Sequence, residues 1–245
     1  MTRVGTVLSL PDPVLAELAC RPLDFVWIDL EHGALSTGDA QVLALAACAA
    51  AARAYVRLPS CAPDTLPAIL DAGIDGIVAP RVESAAEAAA LVRRLRYPPA
   101  GTRGFGPRRA GDFGRAAGFA ASARVECVVQ IESPAGVEAA REIAAVDGVD
   151  ALVLGCADLS FALGVPQRLE APELALAAER VADAADAGGV AFGVAGPGDP
   201  DRLARLAAGR AELVVLGADV RLYAAGVDTP VRALRAALEA VHAPA

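Results

Sequence analysis

The chain has 245 residues, a formal net charge of −8 and 55% hydrophobic residues, of which few are aromatic. Its basic residues are scattered, with no basic run or aromatic-interleaved patch, which argues against a nucleic-acid partner. No apolar run reaches the ~18 residues of a membrane span, and the N-terminal "MTRVGTVLSLPDPV" has no signal-type apolar core, so a membrane role is not expected. Cys20, Cys48, Cys61, Cys127 and Cys156 are widely spaced and odd in number. That pattern suits reduced thiols in a cytoplasm better than a disulfide frame or a zinc site.

In chain order, short β-branched or apolar runs alternate with longer helical patterns. Strands are predicted at Val4–Ser9, Phe25–Leu30, Ala54–Arg57, Gly76–Ala79, Val125–Ile131, Ala151–Leu154, Ala191–Val194 and Leu213–Leu216. Helices are predicted at Pro13–Cys20, Thr37–Ala52, Asp64–Ala72, Ser84–Leu95, Pro134–Ala145, Pro172–Ala187, Pro200–Ala208 and Thr229–His242. Asp12, Ser84 and Ser133 are placed as N-caps, and "DAG" and "DAGG" as helix stops. Strict βα alternation at about 250 residues points to one (β/α)8 TIM barrel spanning 1–245. A doubly wound sheet is weakened by the lack of a Gly-rich phosphate loop after any strand. The irregular, Gly-, Pro- and Arg-rich stretch 96–123 is a functional lid or a linker.

In such a barrel the chemistry sits at the C-terminal ends of the strands. There the sequence places His32 after the second strand, Arg57 at the end of the third, Glu132 after the fifth and Asp158 after the sixth. Two carboxylates from separate strands suit one hard divalent cation, Mg²⁺ or Mn²⁺. An arginine fork suits a carboxylate or a developing oxyanion, and a neutral histidine suits a general base. Each has a plainer reading: a loop hydrogen bond for His32, a helix carboxylate pair for Arg57, a first-turn acid for Glu132, an N-cap of Leu159–Phe161 for Asp158. Convergence at one rim favours the functional readings. His242, the other histidine, reads as solvated surface, and Arg108–Arg109 as either a gripping loop or an exposed pair.

Seven stretches carry a family resemblance: "FVWIDLEHGALS", "YVRLPS", "ILDAGIDGIVAPRVESAAEA", "YPPAGTRGFG", "VVQIESPAGVE", "LGCADLSFALG" and "LVVLGADVRLY". In this order they resemble the HpcH/HpaI aldolases, the metal-dependent class II pyruvate aldolases. The resemblance implies reversible retro-aldol cleavage of a 4-hydroxy-2-oxo acid to pyruvate and an aldehyde. It makes His32 the base, acting through a metal-bound water, and Asp71 the carboxylate that raises its basicity. Arg57 then binds the keto-acid and stabilises negative charge, Glu132 and Asp158 hold the metal (Mg²⁺ or Mn²⁺, with Co²⁺ also fitting), and Gln130 with Gly155–Ala157 contacts pyruvate. It further implies a homo-oligomer, a hexamer, with the last helix exchanged between subunits; Val231, Leu234, Leu238 and Val241 fit a buried face there.

The sequence contains no Lys, which removes a Schiff-base mechanism. Where many relatives read Gly-Pro-Ala-Asp, this chain has Gly155–Cys156–Ala157–Asp158. The segment 105–123 departs most from the aldolases. The alternatives are oxaloacetate decarboxylation or a citryl- or malyl-CoA-type lyase using the same enolate. A non-catalytic keto-acid sensor is a third, from a different class.

Overall fold

The computed structural model describes residues 1–106, 108–115, 124–207 and 209–242. Eight parallel strands close into a barrel in sequence order, each hydrogen-bonded to the next and β8 to β1. They are β1 (Arg3–Leu8), β2 (Phe25–Asp29), β3 (Arg53–Arg57), β4 (Gly76–Ala79), β5 (Glu126–Ile131), β6 (Ala151–Gly155), β7 (Ala191–Gly196) and β8 (Leu213–Ala218). The intervening helices are α1 (Pro13–Cys20), α2 (Thr37–Ala49), α3 (Leu66–Asp71), α4 (Ala85–Leu95), α5 (Pro134–Glu138), α6 (Ala140–Ala144), α7 (Cys156–Ala162), α8 (Pro172–Gly188) and α9 (Pro200–Ala207), with α10 (Asp219–His242) last. This is the predicted (β/α)8 architecture.

Alternation along each strand divides the apolar residues into two layers. Phe25, Trp27, Tyr55, Val78, Val128, Val153 and Val215 fill the barrel. Val26, Ile28, Val56, Ile77, Val129 and Leu154 face outward onto the helices. The helices meet that outer face largely with alanines, including Ala40, Ala44 and Ala47 of α2 and Ala178, Ala182 and Ala185 of α8. Small side chains allow close approach, so a chain with few aromatics still forms a tight shell.

Four expectations are corrected in detail. Helix α2 stops at Ala49 because Ala51 turns the chain back with φ +61. Pro134–Ala145 divides into α5 and α6 at Ala139. Asp158 does not cap a short turn; it is the third residue of α7, whose N-cap is Gly155. Helix α10 begins at Asp219 rather than Thr229 and runs through Pro230. Its start is fixed by Asp219, whose carboxylate accepts the N–H groups of Ser9 and Leu10 and the Ser9 hydroxyl. Ala208, part of 96–123 (residues 107 and 116–123) and the side chain of His242 lie outside the described residues.

At the N-terminal end of the barrel, inward polar residues close the floor. The Tyr55 hydroxyl donates to Glu126 Oε2 at 2.6 Å and Arg53 donates to Glu126 Oε1 at 2.7 Å. Burial opposes the Glu126 charge, but these two hydrogen bonds outweigh it and hold the carboxyl below its usual range. The resulting stabilisation is complete above the unfolded glutamate value of ~4.3 and is lost as pH falls below it. Tyr55→Phe is expected to cost about 1–3 kcal/mol, read as a lower urea midpoint at pH 7, with the difference from wild type shrinking as pH falls below 4.

Candidate active site

The inward alternation that fills the barrel with Phe25, Trp27, Tyr55 and Val128 brings polar groups to its C-terminal mouth. Two residues beyond Trp27 stands Asp29, two beyond Tyr55 stands Arg57, and beyond Val128 come Gln130 and Glu132. Strands β2 and β3 pair with Asp29 directly opposite Arg57. The two side chains meet in a bidentate pair, Arg57 Nε to Asp29 Oδ1 at 2.9 Å and Nη2 to Oδ2 at 2.7 Å. Asp29 is 3% exposed. Burial alone would raise its pKa, but the Arg57 hydrogen bonds and charge hold it below the usual carboxylate range.

Asp29 also shapes the loop that follows. Its Oδ1 accepts the N–H of Glu31 at 3.0 Å and of His32 at 3.3 Å. Gly33 permits this turn, because a Cβ there would stand 2.4 Å from the Asp29 carbonyl oxygen. Glu31 folds back over Arg57, with Oε2 3.3 Å from Nη1 and 3.8 Å from His32 Nε2. His32 is left on the rim with its side chain 66% exposed.

Glu132 lies just past β5, and Ser133, not Glu132, caps the next helix by accepting the Gly136 N–H. The Glu132 side chain turns inward, where Oε1 accepts the Arg81 N–H at 2.8 Å and Oε2 accepts from Gln130 Nε2. Arg81 presents that N–H from a left-handed backbone, φ +51, a conformation that costs a non-glycine residue about 1–3 kcal/mol. Burial, then the nearby charges of Glu31 and Asp158, push Glu132 up to about 7. Burial likewise raises Glu31.

One cavity of about 290 Å³ gathers the predicted residues His32, Arg57, Gln130, Glu132, Gly155, Ala157 and Asp158, with Trp27 in its wall. Asp71 is not among its lining residues. It is the last residue of α3, which returns the chain toward the N-terminal ends of the strands, and its carboxylate stands 3.6 Å from Arg103 Nη2. Sequence reasoning missed Asp29, although a carboxylate ending a strand otherwise filled with buried apolar residues was a usable signal. The 81 backbone was not legible, because its role rests on conformation.

The cavity fits a hard divalent cation. Glu132 and Asp158 offer oxygen donors from two strand ends to the one cavity, and hard oxygens of this kind suit such a cation. Gln130 Oε1 is buried without a hydrogen-bond partner among the described residues. Gly155 keeps the space between these groups open: a Cβ would come within 2.6 Å of Glu132 Oε2 and 2.7 Å of Gln130 Nε2. Gly155→Ala is therefore expected to weaken Mg²⁺ binding at least tenfold by titration calorimetry, while overpacking costs about 1–3 kcal/mol of stability.

The chain is similar to several known aldolases. The chain is 37% identical over 232 residues to a 4-hydroxy-2-oxovalerate aldolase of Rhodococcus jostii, covering 91% of this chain and 88% of that protein. It is 34% identical over 198 residues to a 4-hydroxy-4-methyl-2-oxoglutarate aldolase of Chaetomium globosum, covering 78% and 74%. A crystal structure of an HpcH/HpaI aldolase/citrate lyase family protein from Burkholderia cenocepacia J2315 superposes with a TM-score of 0.87 at 32% identity, over 99% of this chain and 95% of that one. With residues 7–225 matching the HpcH/HpaI aldolase/citrate lyase family as a whole, the chain belongs to that family.

Proposed function

We propose that the protein is a carbon–carbon lyase that reversibly cleaves a 4-hydroxy-2-oxo acid into pyruvate and an aldehyde with a divalent cation, Mg²⁺ or Mn²⁺. The observation that carries this is the single cavity in which two carboxylates, a fixed guanidinium and a rim histidine converge. The aldolase names of the relatives support the same reaction class.

Glu132 and Asp158 would hold the cation, which when bound would supply Lewis-acid polarisation of the keto group. Arg57 lines the same cavity and would donate to the same oxygen. Two of its five N–H groups are committed to Asp29 and Nη1 also stands 3.3 Å from Glu31 Oε2, which leaves the remaining N–H groups to bind the keto-acid and its developing negative charge. Because the Asp29 pair is made before substrate arrives, this donor needs no reorganisation during the reaction. Gln130 and the chain at Gly155–Ala157 bound the space for the pyruvate half. His32 takes the proton of the 4-hydroxyl in cleavage, and in the reverse direction serves removal of a methyl proton from pyruvate. Glu31 Oε2 stands 3.8 Å from His32 Nε2, beside the space where the 4-hydroxyl would lie.

In this reading Asp71 raises the basicity of His32 in a second copy of the chain, since it sits outside its own cavity. The homo-oligomer this requires is supported by α10, which exposes Val227, Val231, Leu234, Leu238 and Val241 along one 24-residue helix. Exchange of this helix within a hexamer would cover that face. Five unbridged cysteines support a reducing, cytoplasmic setting, and no helix among the described residues is long and apolar enough to cross a membrane.

Protein loaded with Mn²⁺ or Mg²⁺ is expected to exchange the methyl protons of pyruvate in D₂O, followed by proton NMR; absence of exchange would overturn the enolate chemistry. His32→Ala is expected to slow cleavage by about 10²–10⁴-fold while sparing oxaloacetate decarboxylation, which needs no base at the 4-hydroxyl. Leu234→Glu combined with Leu238→Glu is expected to shift the light-scattering mass in solution toward the monomer. Loss of activity in parallel would tie the site to the assembly.

A further inference from the structure

Among the described residues a single arginine is buried, Arg103, and it stands outside the cavity that holds Arg57. Its side chain is only 2% exposed. A cation taken out of water needs several partners to offset the cost. The chain leading to it is strapped to the end of α4. There the N–H groups of Gly101, Thr102 and Arg103 donate to the carbonyls of Tyr97, Arg93 and Arg96 at 3.0, 2.7 and 2.8 Å. The guanidinium then lies over the Tyr97 ring, 4.6 Å from its centroid. From this seat Nη2 reaches the carbonyl end of α3. It donates to the Leu70 carbonyl at 3.2 Å and stands 3.6 Å from Asp71 Oδ1.

Asp71 is the group this arrangement serves. As the last residue of α3 it stands among open carbonyls, an unfavourable place for a carboxylate. Arg103 answers the carbonyl and the carboxylate with one guanidinium. Further along, the chain closes on the other oxygen, since a Cβ on Gly106 would collide with Asp71 Oδ2. The Asp71 side chain nevertheless keeps 21% exposure. The stretch 103–106 therefore fixes the carboxylate from two sides and leaves an edge accessible. A carboxylate has about four lone-pair sites, so acceptor capacity remains for a further donor. The relation inverts that of Asp29 and Arg57: there an acid fixes an arginine, here an arginine fixes an acid.

We propose that Arg103 and Gly106 are positioning residues that seat the Asp71 carboxylate so that it meets the His32 of a second copy of the chain. This rests on the reading in which Asp71 raises the basicity of that histidine, and it adds the residues that hold Asp71 in place. Arg103 has two opposed effects on the reaction. Its charge draws on the same negative charge that assists the histidine, while its planar fork fixes where that charge stands. The first reaches the rate only through the basicity of the histidine and is worth about tenfold at most. The second is geometric, and a misplacement of about 1 Å costs about 10²-fold. Geometry is the larger effect, so removing Arg103 slows cleavage rather than speeding it.

The test uses the full chain with Mg²⁺. Cleavage of 4-hydroxy-2-oxovalerate and 4-hydroxy-2-oxoglutarate is compared with decarboxylation of oxaloacetate. Pyruvate affinity is read by calorimetry and mass by light scattering. Asp71→Asn is expected to lower kcat for cleavage about 10²-fold and to spare decarboxylation, which needs no base at the 4-hydroxyl. Arg103→Met is expected to lower the same kcat at least tenfold, with decarboxylation, pyruvate affinity and mass as in wild type. Arg103→Lys is expected to recover part of the rate. Gly106→Ala, which keeps the guanidinium but displaces the same carboxylate, is expected to repeat the Arg103→Met pattern, and it decides the matter if Arg103→Met does not fold. Added to Asp71→Asn, Arg103→Met is expected to cost nothing more, because both act through one carboxylate. Unchanged cleavage in Arg103→Met, a further loss on top of Asp71→Asn, or a joint loss of both reactions or of mass would overturn the seat. If Asp71→Asn cleaves like wild type, the role of Asp71 falls and the seat with it. If wild type neither cleaves these acids nor exchanges the methyl protons of pyruvate, the aldolase reading itself falls.

Discussion

The site depends on one buried ion pair, Asp29 with Arg57. Its partners sit on neighbouring strands, directly opposite each other in the sheet register, and both point into the barrel because both fall on the inward parity of their strands. Such a pair is a weak source of net stability, since removing two charges from water offsets most of the attraction. Its value here is positional. Asp29 holds the guanidinium in a fixed plane and its remaining acceptor capacity draws in the N–H groups of Glu31 and His32. The loop that presents the rim histidine is thus built on the same carboxylate that orients the arginine. Loss of Asp29 would leave Arg57 without its partner and release the loop together.

The same strand parity that builds the mouth also builds the floor. On β3 the inward residues run Arg53, Tyr55, Arg57; on β5 and just beyond it they run Glu126, Val128, Gln130, Glu132. Apolar bulk occupies the middle of the barrel and charge occupies its two ends. The distinction between the ends lies in how fully the charges are balanced. At the floor Glu126 receives a phenol and a guanidinium, and its pKa falls. At the mouth Glu132 receives a backbone N–H and an amide, but burial, and then the charges of Glu31 and Asp158, push its pKa up to about 7. A satisfied network belongs to stability; an unbalanced one in a cavity belongs to a ligand that brings the missing charge.

Backbone conformation supplies the remaining precision. Arg81 and Gln167 both adopt positive φ, and each aims an N–H at a group that sets the cavity: Glu132 in one case, the Ser160 hydroxyl beneath α7 in the other. Gly33 and Gly155 do the opposite service, leaving out a side chain where the Asp29 carbonyl and the Glu132 carboxylate must come close.

The sequence by itself determined the eight strands, their alternation with helices and hence the barrel, because period-2 and period-3.6 patterning is written locally and barrel closure follows from it. It also determined that His32, Arg57, Glu132 and Asp158 share one rim, since each closes or follows a strand. Tertiary structure alone decided that Asp29 and Glu31 enclose Arg57, because their pairing depends on register between β2 and β3. It decided the distribution of Asp71 away from the cavity of its own chain, which follows from α3 running back against the strands. It decided as well that Arg221, on a helix the sequence pattern starts ten residues too late, lines the cavity. In each case the deciding contact joins residues far apart in the chain, and only the closure of the barrel sets them side by side.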